Sequence, residues 1–202
     1  FMVILLDNRR SPTQVFFKVS RKGQRKAIKD LQDLFPIKKK EEMFPKICLN
    51  IGCGEKPMVS SSEETWTNLD WKEGPGVDIV RDIRRGLPFL DSTFDSIFMD
   101  NVLEHLLPHD AVFAINEIDR VLKVGGIAEI IVPHADSQGA FQDPTHKSFW
   151  VPRSVIYWSQ NRSKYGGKFV GITANLIELE TIVFGNMQTE GYIKFRVKKE
   201  AI

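Results

Sequence analysis

Two short stretches near the middle of the chain place imidazole and carboxylate side chains close together. Pro133-His134-Ala135-Asp136 follows an apolar run, and Asp143-Pro144-Thr145-His146 lies in the polar loop after it. A neutral imidazole is able to take a proton from a hydroxyl near pH 7. The acceptor-side residues predicted on this basis are His146 and His134 as general bases, and Asp143 and His105 as substrate contacts.

The same side chains have two other interpretations. A metal site built from His134, Asp136, Asp143 and His146 matches no standard ligand spacing, so no metal is predicted. In a purely structural interpretation, Asp143 begins a turn and Pro144 fixes its backbone. These alternatives stay open at the level of the sequence.

A second group of polar residues follows the predicted strands of a sheet. Gly52 and Gly54 stand where a buried strand ends, which permits a tight turn and the close approach of a ligand to the backbone. Asp70 ends the next strand, where a carboxylate can accept both ribose hydroxyls of a nucleoside. Asp82 follows the third strand. Because parallel strands end at the same edge of a sheet, the sequence predicts a nucleoside site in one crevice.

Short apolar runs and one amphipathic segment predict the elements that position these residues. Buried strands are predicted at 47–51, 66–69, 77–80, 96–99 and 127–132. A helix is predicted to begin at Pro108 and to end at Gly125-Gly126. Asn101 and Glu104 have the spacing of a capping box ahead of this helix.

The end of the chain alternates apolar and polar residues in two segments. The alternations at 177–183 and 193–197 predict an antiparallel hairpin, with Glu178 and Glu180 opposite basic side chains. The predicted fold is therefore α/β: a Rossmann-like, doubly wound, mainly parallel sheet with an antiparallel C-terminal hairpin.

Charge is divided unevenly along the 202 residues. Residues 1–46 carry 12 basic and 5 acidic side chains, a net charge of +7, and the remaining 156 residues carry −5. The overall charge of +2 argues against nucleic-acid binding through bulk charge. Residues 1–46, with an amphipathic helix predicted at 24–35, are expected to form a basic extension of the same domain as residues 47–202.

Cysteine usage and hydropathy suggest a cellular setting. Cys48 and Cys53 lie too close together to staple a fold and have no second pair to make a zinc site. The opening apolar run is too short for a signal peptide, and no stretch approaches the length of a membrane span. A reduced, cytoplasmic setting is predicted.

From about Ile47 to Pro133 the chain resembles, in order, the successive motifs of class I S-adenosylmethionine-dependent methyltransferases of the methyltransferase type 11 kind. The matching stretches are Leu49-Asn50-Ile51-Gly52-Cys53-Gly54, Asn68-Leu69-Asp70, Leu87-Pro88-Phe89, Phe94-Asp95-Ser96-Ile97, Val102-Leu103-Glu104-His105-Leu106 and Arg120-Val121-Leu122-Lys123-Val124-Gly125-Gly126. The Asp-Pro-Thr-His loop resembles one found in a subset of these enzymes associated with sugar, polysaccharide or natural-product pathways.

The resemblance implies S-adenosyl-L-methionine as cofactor and S-adenosyl-L-homocysteine as product. The residues that it assigns to the cofactor are Asn50, Gly52, Cys53 and Gly54 at the methionine part, Asp70 at the ribose, Trp71, Asp82 and Ile83 at the adenine, and Asn101 near the sulfonium. Asn50 replaces the usual acidic residue, and Lys56 replaces the usual third glycine. The short interval between Gly54 and Trp66 predicts a turn near Ser60–Ser62 in place of the first crossover helix.

The favoured function is methylation of a small-molecule or carbohydrate acceptor, at oxygen. One alternative is an RNA or protein methyltransferase that docks through the basic segment Lys18–Lys40, although nucleic acid is not favoured as a partner. Another is a catalytically silent partner subunit that binds the cofactor. An NAD-dependent oxidoreductase fits less well, because Pro57 stands where the dinucleotide motif has a small residue. The oligomeric state is not predicted.

Overall fold

The strands that end beside the predicted site belong to one mixed sheet. The structure, a computed structural model, describes residues 2–5, 13–16, 44–156, 174–184 and 190–201. The strands of this sheet are β3 (Lys46–Ile51), β4 (Glu64–Asp70), β5 (Ile79–Val80), β6 (Phe94–Asp100), β7 (Leu122–Pro133), β8 (Ala174–Phe184) and β9 (Glu190–Lys199). Their order is β5-β4-β3-β6-β7-β9-β8. The first five in this order run parallel, and β9 is antiparallel to both of its neighbours. The predicted fold class is confirmed.

A separate hairpin precedes this sheet. β1 (Met2–Leu5) pairs antiparallel with β2 (Thr13–Phe16), and the sequence analysis did not predict either strand. The chain divides into two units, Phe1–Phe44 and Pro45–Ile202. The helix predicted at 24–35 lies outside the described residues, and the assignment of residues 1–46 to the same domain stays a prediction.

Helix α1 (Pro108–Val121) covers the sheet with an apolar face. Its buried residues include Ala114, Ile115 and Ile118, at the spacing expected of an amphipathic helix. The predicted end at Gly125-Gly126 is wrong, because β7 begins directly after the helix. Gly125 has φ +83°, and a Cβ on Gly126 would lie 3.0 Å from the Asp95 carbonyl oxygen. The glycines therefore serve the irregular pairing of β6 with β7.

Short elements complete the described part of the chain. They are α2 (Pro152–Ile156) and three 3-10 helices at Ile83–Arg85, Leu103–His105 and Gln138–Ala140. Residues 52–63 contain no helix, which confirms the predicted absence of the first crossover helix. The hydroxyl of Ser61 accepts hydrogen bonds from the backbone N–H groups of Glu63 and Glu64, in the turn that was predicted near this position.

The C-terminal hairpin has the predicted register. Glu178 is paired with Arg196, and Glu180 with Lys194, so that each acidic residue lies opposite a basic one. Both cysteines are free and buried. No helix among the described residues is long and apolar enough to cross a membrane.

Candidate functional site

The ends of β3 and β4 are joined by hydrogen bonds from the glycine turn. Gly52 and Cys53 donate their backbone N–H groups to the carbonyl oxygen of Leu69, and Gly54 donates its own to Asp70 Oδ2 at 2.9 Å. Asp70 Oδ1 accepts from the Lys72 N–H at 2.9 Å. Each carboxylate oxygen therefore keeps a lone pair free for a further donor, although the residue as a whole is buried.

The two glycines of this turn have different surroundings. Gly52 has φ +71°, and a Cβ there would lie 2.2 Å from Val102 Cγ2. Gly54 has φ +47°, and a Cβ there would meet nothing within 4 Å. Gly52 is therefore required by packing, whereas Gly54 borders open space at the carboxyl end of β3. That space lies beside the Asp70 carboxylate, where the sequence predicts the nucleoside.

Asn50 anchors the turn from inside the sheet. Its Nδ2 donates to Asn68 Oδ1 at 3.0 Å and to the Lys56 carbonyl at 3.3 Å. Asn68 Oδ1 also accepts from the Met58 N–H, and Asn68 donates its backbone N–H to Asp78 Oδ2. An amide at position 50 is needed because a carboxylate has no hydrogen to donate to these oxygens. This network explains the departure from the acidic residue of the related motif.

The residues predicted near the adenine differ in their exposure and contacts. Trp71 is 72% exposed, so its ring is not part of the core. Ile83 is buried, and Asp82 caps the 3-10 helix at Ile83–Arg85 by accepting from the Arg84 N–H. The Arg84 guanidinium also binds Asp82 Oδ2 at 2.6 Å, and these hydrogen bonds lower the pKa of Asp82.

The capping box predicted between Asn101 and Glu104 is wrong. The Asn101 Nδ2 donates to Asp100 Oδ1, and its backbone has φ +53°. Helix α1 is preceded by Leu107, which makes no side-chain cap. The turn at the end of β6 instead sends Glu104 into the interior and leaves Asn101 exposed beside the strand end.

The Asp-Pro-Thr-His loop is built on a turn, as the structural interpretation predicted. Thr145 donates its backbone N–H and its hydroxyl to Asp143 Oδ1, and these bonds lower the pKa of that carboxyl. His146 donates its backbone N–H to the Asp143 carbonyl. Downstream, Lys147 and Ser148 donate theirs to the Glu104 carbonyl, so the loop is tied directly to the segment after β6.

The structure brings together two of the predicted acceptor-side histidines with a residue that the sequence analysis missed as a site residue. The rings of His105 and His146 meet edge to face, with centroids 4.8 Å apart. Glu104 is 1% exposed, and neither of its carboxylate oxygens has a hydrogen-bond partner among the described residues. Burial, with added repulsion from Asp100 and Asp143, raises the pKa of Glu104 to about 8.

The other predicted base, His134, has a different environment. Its Nδ1 accepts the Asp136 backbone N–H at 3.0 Å, so the ring proton of the neutral form lies on Nε2. Its backbone N–H donates to the Gly191 carbonyl. The neutral ring of His134 therefore has no uncommitted lone pair. His146 makes a ring hydrogen bond through Nδ1, 2.8 Å from the Ala140 carbonyl oxygen, and its Nε2 lies 4.0 Å from Asp143 Oδ2.

An open cavity of about 570 Å³ lies in the loop after β7. Its walls come from Ala135, Asp136, Ser137, Gln138, Phe141 and Gln142. Phe141 stacks on Phe149 with ring centroids 4.6 Å apart, and both rings are largely exposed. Exposed aromatic faces beside a cavity are typical of ligand-binding surfaces.

The comparisons with known proteins agree with this arrangement. Residues 49–130, which include the glycine turn, Asp70 and the segment after β6, match the family model of the methyltransferase domain. Over this segment the chain matches the methyltransferase domain that the sequence motifs predicted. A search of curated proteins finds no match.

Solved methyltransferase structures share the fold of this domain. The 1,6-didemethyltoxoflavin-N1-methyltransferase of Burkholderia thailandensis, with bound 1,6-didemethyltoxoflavin and S-adenosylhomocysteine, is 13% identical, with 98% of each chain covered and a TM-score of 0.57. The N-methyltransferase NodS of Bradyrhizobium japonicum, in complex with S-adenosylhomocysteine, is 13% identical, covering 88% of this chain and 87% of its own, with a TM-score of 0.55. A SAM-dependent methyltransferase of Methanosarcina mazei is 14% identical, covering 83% of this chain and 99% of its own, with a TM-score of 0.57.

The methyltransferase domain therefore confirms the predicted family, enzyme class and cofactor. The individual site residues stay predictions. Glu104 escaped the sequence analysis as a site residue because its spacing from Asn101 matched a helix cap. The sequence signal that could have identified it is an ionisable residue adjacent to His105, a few residues after a buried strand.

Proposed function

We propose that this methyltransferase transfers a methyl group to an oxygen atom of a small-molecule or carbohydrate acceptor. The observation that carries the proposal is the Nε2 atom of His146. This nitrogen accepts no hydrogen bond from a described residue, lies 4.0 Å from Asp143 Oδ2, and belongs to the loop that follows the cavity lining. A hydroxyl acceptor must lose a proton during transfer, and an uncommitted imidazole nitrogen is suited to accept it.

The cofactor side of the proposal rests on Asp70 and the glycine turn. The lone pairs left on both Asp70 oxygens would accept the ribose hydroxyls, and the open space at Gly54 would admit the methionine part. Trp71 would cover the adenine. Bound S-adenosylmethionine supplies a methyl group on a positively charged sulfur, which leaves as the neutral thioether of S-adenosylhomocysteine.

His146 is the proposed proton acceptor, and its ring is already oriented. The Ala140 carbonyl only accepts hydrogen bonds, so it fixes the proton of the neutral ring on Nδ1 and the lone pair on Nε2. The hydroxyl proton would move to Nε2 as the acceptor oxygen forms its bond to the methyl carbon. His134, whose Nδ1 is occupied, would act as a hydrogen-bond donor through Nε2. Asp143 would hold the loop that carries His146.

The cavity and the aromatic pair support a small acceptor. A volume of about 570 Å³ suits a drug-sized molecule or a short sugar, and the exposed faces of Phe141 and Phe149 would pack on its apolar surface. The related Burkholderia enzyme is named for a small-molecule substrate, 1,6-didemethyltoxoflavin.

A screen with methyl-labelled S-adenosylmethionine over fractionated metabolites and sugars tests the acceptor class. We expect label in a low-molecular-weight ether product. With that acceptor, His146→Ala should lower kcat by about 10²- to 10⁴-fold without changing cofactor affinity. His109→Ala is the matched control, because that histidine is exposed and outside the site. Full turnover by His146→Ala would remove this residue from the mechanism.

The same screen separates the alternative functions. Label in RNA or protein, with salt-sensitive binding, would replace the proposed acceptor by a macromolecule docked on Lys18–Lys40, a segment that lies outside the described residues. Cofactor binding without transfer to any fraction would identify a silent partner subunit. The cytoplasmic setting stays a prediction.

A further inference from the structure

The carboxylate of Glu104 is buried without a hydrogen-bond partner among the described residues. It is 1% exposed, and neither oxygen accepts a hydrogen bond from any described residue. The carboxyls of Asp100 and Asp143 are near enough to repel it further. An unpaired charged carboxylate in such a place is strongly unfavourable, so a proton or a cation must neutralise it.

The hydrogen bonds of the two neighbouring histidines decide which nitrogen atoms are available. His146 Nδ1 lies 2.8 Å from the Ala140 carbonyl oxygen, which only accepts, so the lone pair is on Nε2. The Thr145 hydroxyl gives its hydrogen to Asp143 Oδ1 at 2.7 Å and therefore accepts from His105 Nδ1 at 2.9 Å. The lone pair of His105 is thus also on Nε2.

These three residues have the arrangement of a metal-ligand set. One ligand atom from each of Glu104, His105 and His146 lies within 4.8 Å of the others. Ligands around one ion with bonds of about 2.0–2.2 Å are separated by about 3–4 Å, which small side-chain movements would reach. A ligating histidine usually donates its other ring N–H to a carbonyl or a similar oxygen, as both histidines do here.

We propose that Glu104, His105 and His146 form a binding site for a divalent transition-metal ion. Two imidazoles and one carboxylate suit Zn²⁺, Mn²⁺, Fe²⁺ or Co²⁺ better than Mg²⁺ or Ca²⁺, which prefer oxygen ligands. The ion neutralises the buried carboxylate, and its remaining positions are open to another ligand. The set differs from the quartet that the sequence suggested, because His134 and Asp136 contact each other and not these residues.

The location of the site gives the ion a role on the acceptor side. Glu104 and His105 follow β6 directly, and His146 is held by the loop that leads from the cavity. An acceptor hydroxyl bound to the ion would lose its proton more readily and would release it to solvent water, so a metal-bound His146 would not need to accept it. This role rests on the proposed function, whereas metal binding itself does not.

Titration of the chelator-treated protein with Co²⁺ tests the site. We expect one equivalent to bind with visible absorption bands, and Zn²⁺ to displace it. Glu104→Gln, which keeps the shape of the side chain, and His146→Ala should each weaken binding at least 10-fold. His109→Ala should bind as the wild type does. Thermal unfolding provides a second readout, since the ion should raise the Tm of the wild type but not of Glu104→Gln.

Two results would overturn the proposal: no saturable Co²⁺ binding by the wild type, or equal affinity in the wild type and both ligand variants. Calorimetric titration with S-adenosylmethionine in the presence of the chelator is run in parallel. Cofactor binding that persists there shows that a failed metal titration leaves the proposed methyltransferase function intact. Loss of cofactor binding with the metal site retained would count against the function alone.

Discussion

The backbone N–H of Gly54 donates a hydrogen bond of 2.9 Å to Oδ2 of Asp70, across the ends of two neighbouring parallel strands. The bond fixes the carboxylate beside the open space at the glycine and leaves lone pairs on both of its oxygens. Asp70, which is predicted to hold the ribose, is therefore positioned by the glycine turn, which is predicted to lie against the methionine part of the cofactor.

Asp70→Asn is expected to weaken binding of S-adenosylmethionine by about 10- to 100-fold, because a hydrogen bond to a charged group contributes about 1.5–3 kcal/mol. The amide oxygen still accepts from Gly54, but the amide nitrogen cannot accept from Lys72. Urea unfolding of the variant therefore separates a loss of stability from a loss of binding. Isothermal titration calorimetry measures the affinity. Glu73→Gln, an exposed neighbour, is the control and should bind normally. Unchanged affinity in Asp70→Asn would exclude this carboxylate from the cofactor site.

The two glycines of the turn should respond differently to alanine. Gly52→Ala is expected to destabilise the protein by more than the roughly 1–3 kcal/mol of backbone strain, because its Cβ would overlap Val102. Gly54→Ala should cost only about 1–2 kcal/mol, yet obstruct the cofactor space. Urea unfolding and cofactor titration separate the two effects.

A partner substitution checks the first of these effects. Val102→Ala should restore part of the stability of Gly52→Ala by removing the overlap, and it should do nothing for Gly54→Ala. Equal stability losses in the two single variants would show that the Val102 contact has no energetic weight.

Replacing Asn50 by the acidic residue that is usual in the related motif should destabilise this protein. Asn50→Asp removes the hydrogens donated to Asn68 and to the Lys56 carbonyl and places a charge beside their oxygens. We expect a loss of about 1–3 kcal/mol in the free energy of unfolding at pH 7, larger than that of Asn50→Ala. A variant as stable as the wild type would contradict the role given to the amide network.

The ion pair between Glu117 and Arg120 should make stability depend on acid pH. Arg120 lowers the pKa of Glu117 from its ordinary value of 4.5. The stabilisation is therefore complete above pH 4.5 and is lost as the pH falls through the lower pKa of the folded state. Compared with Glu117→Gln, the wild type should lose its advantage as the pH falls below 4.5.

Urea unfolding at a series of pH values measures this difference. Asp91→Asn is the matched control, since this carboxylate binds the same guanidinium but its side chain is 78% exposed. Its effect on the free energy of unfolding should be smaller at every pH. A constant gap between wild type and Glu117→Gln would show that Arg120 does not shift the carboxyl.

The sequence was sufficient where a single local pattern decides the structure. The apolar runs located the parallel strands, and the alternation near the end of the chain located β8 and β9 with their charged pairs in register. The prediction that the glycine turn lies beside Asp70 succeeded because neighbouring parallel strands end at the same edge of a sheet. The predicted helix end was wrong because Gly125 and Gly126 also suit an irregular strand pair. Sequence propensity does not distinguish glycines that end a helix from glycines in such a pair.

The cluster of Glu104, His105 and His146 could not be predicted from the sequence for a different reason. Bringing His146 to His105 requires the backbone of Lys147 and Ser148 to bind the Glu104 carbonyl, a contact between segments about 40 residues apart. The hydrogen bond that occupies Nδ1 of His134 likewise depends on a single donor, the backbone N–H of Asp136 two residues along the chain. Such contacts follow from tertiary packing and leave no periodic trace in the sequence.

The attachment of the polar loop at both ends has a consequence for engineering. His134 is secured to Gly191 at one end, and Lys147 and Ser148 are secured to Glu104 at the other. The residues between, 135–146, include the whole cavity lining. We therefore expect that loops with the same two anchor points can be grafted between His134 and Lys147 without rebuilding the sheet.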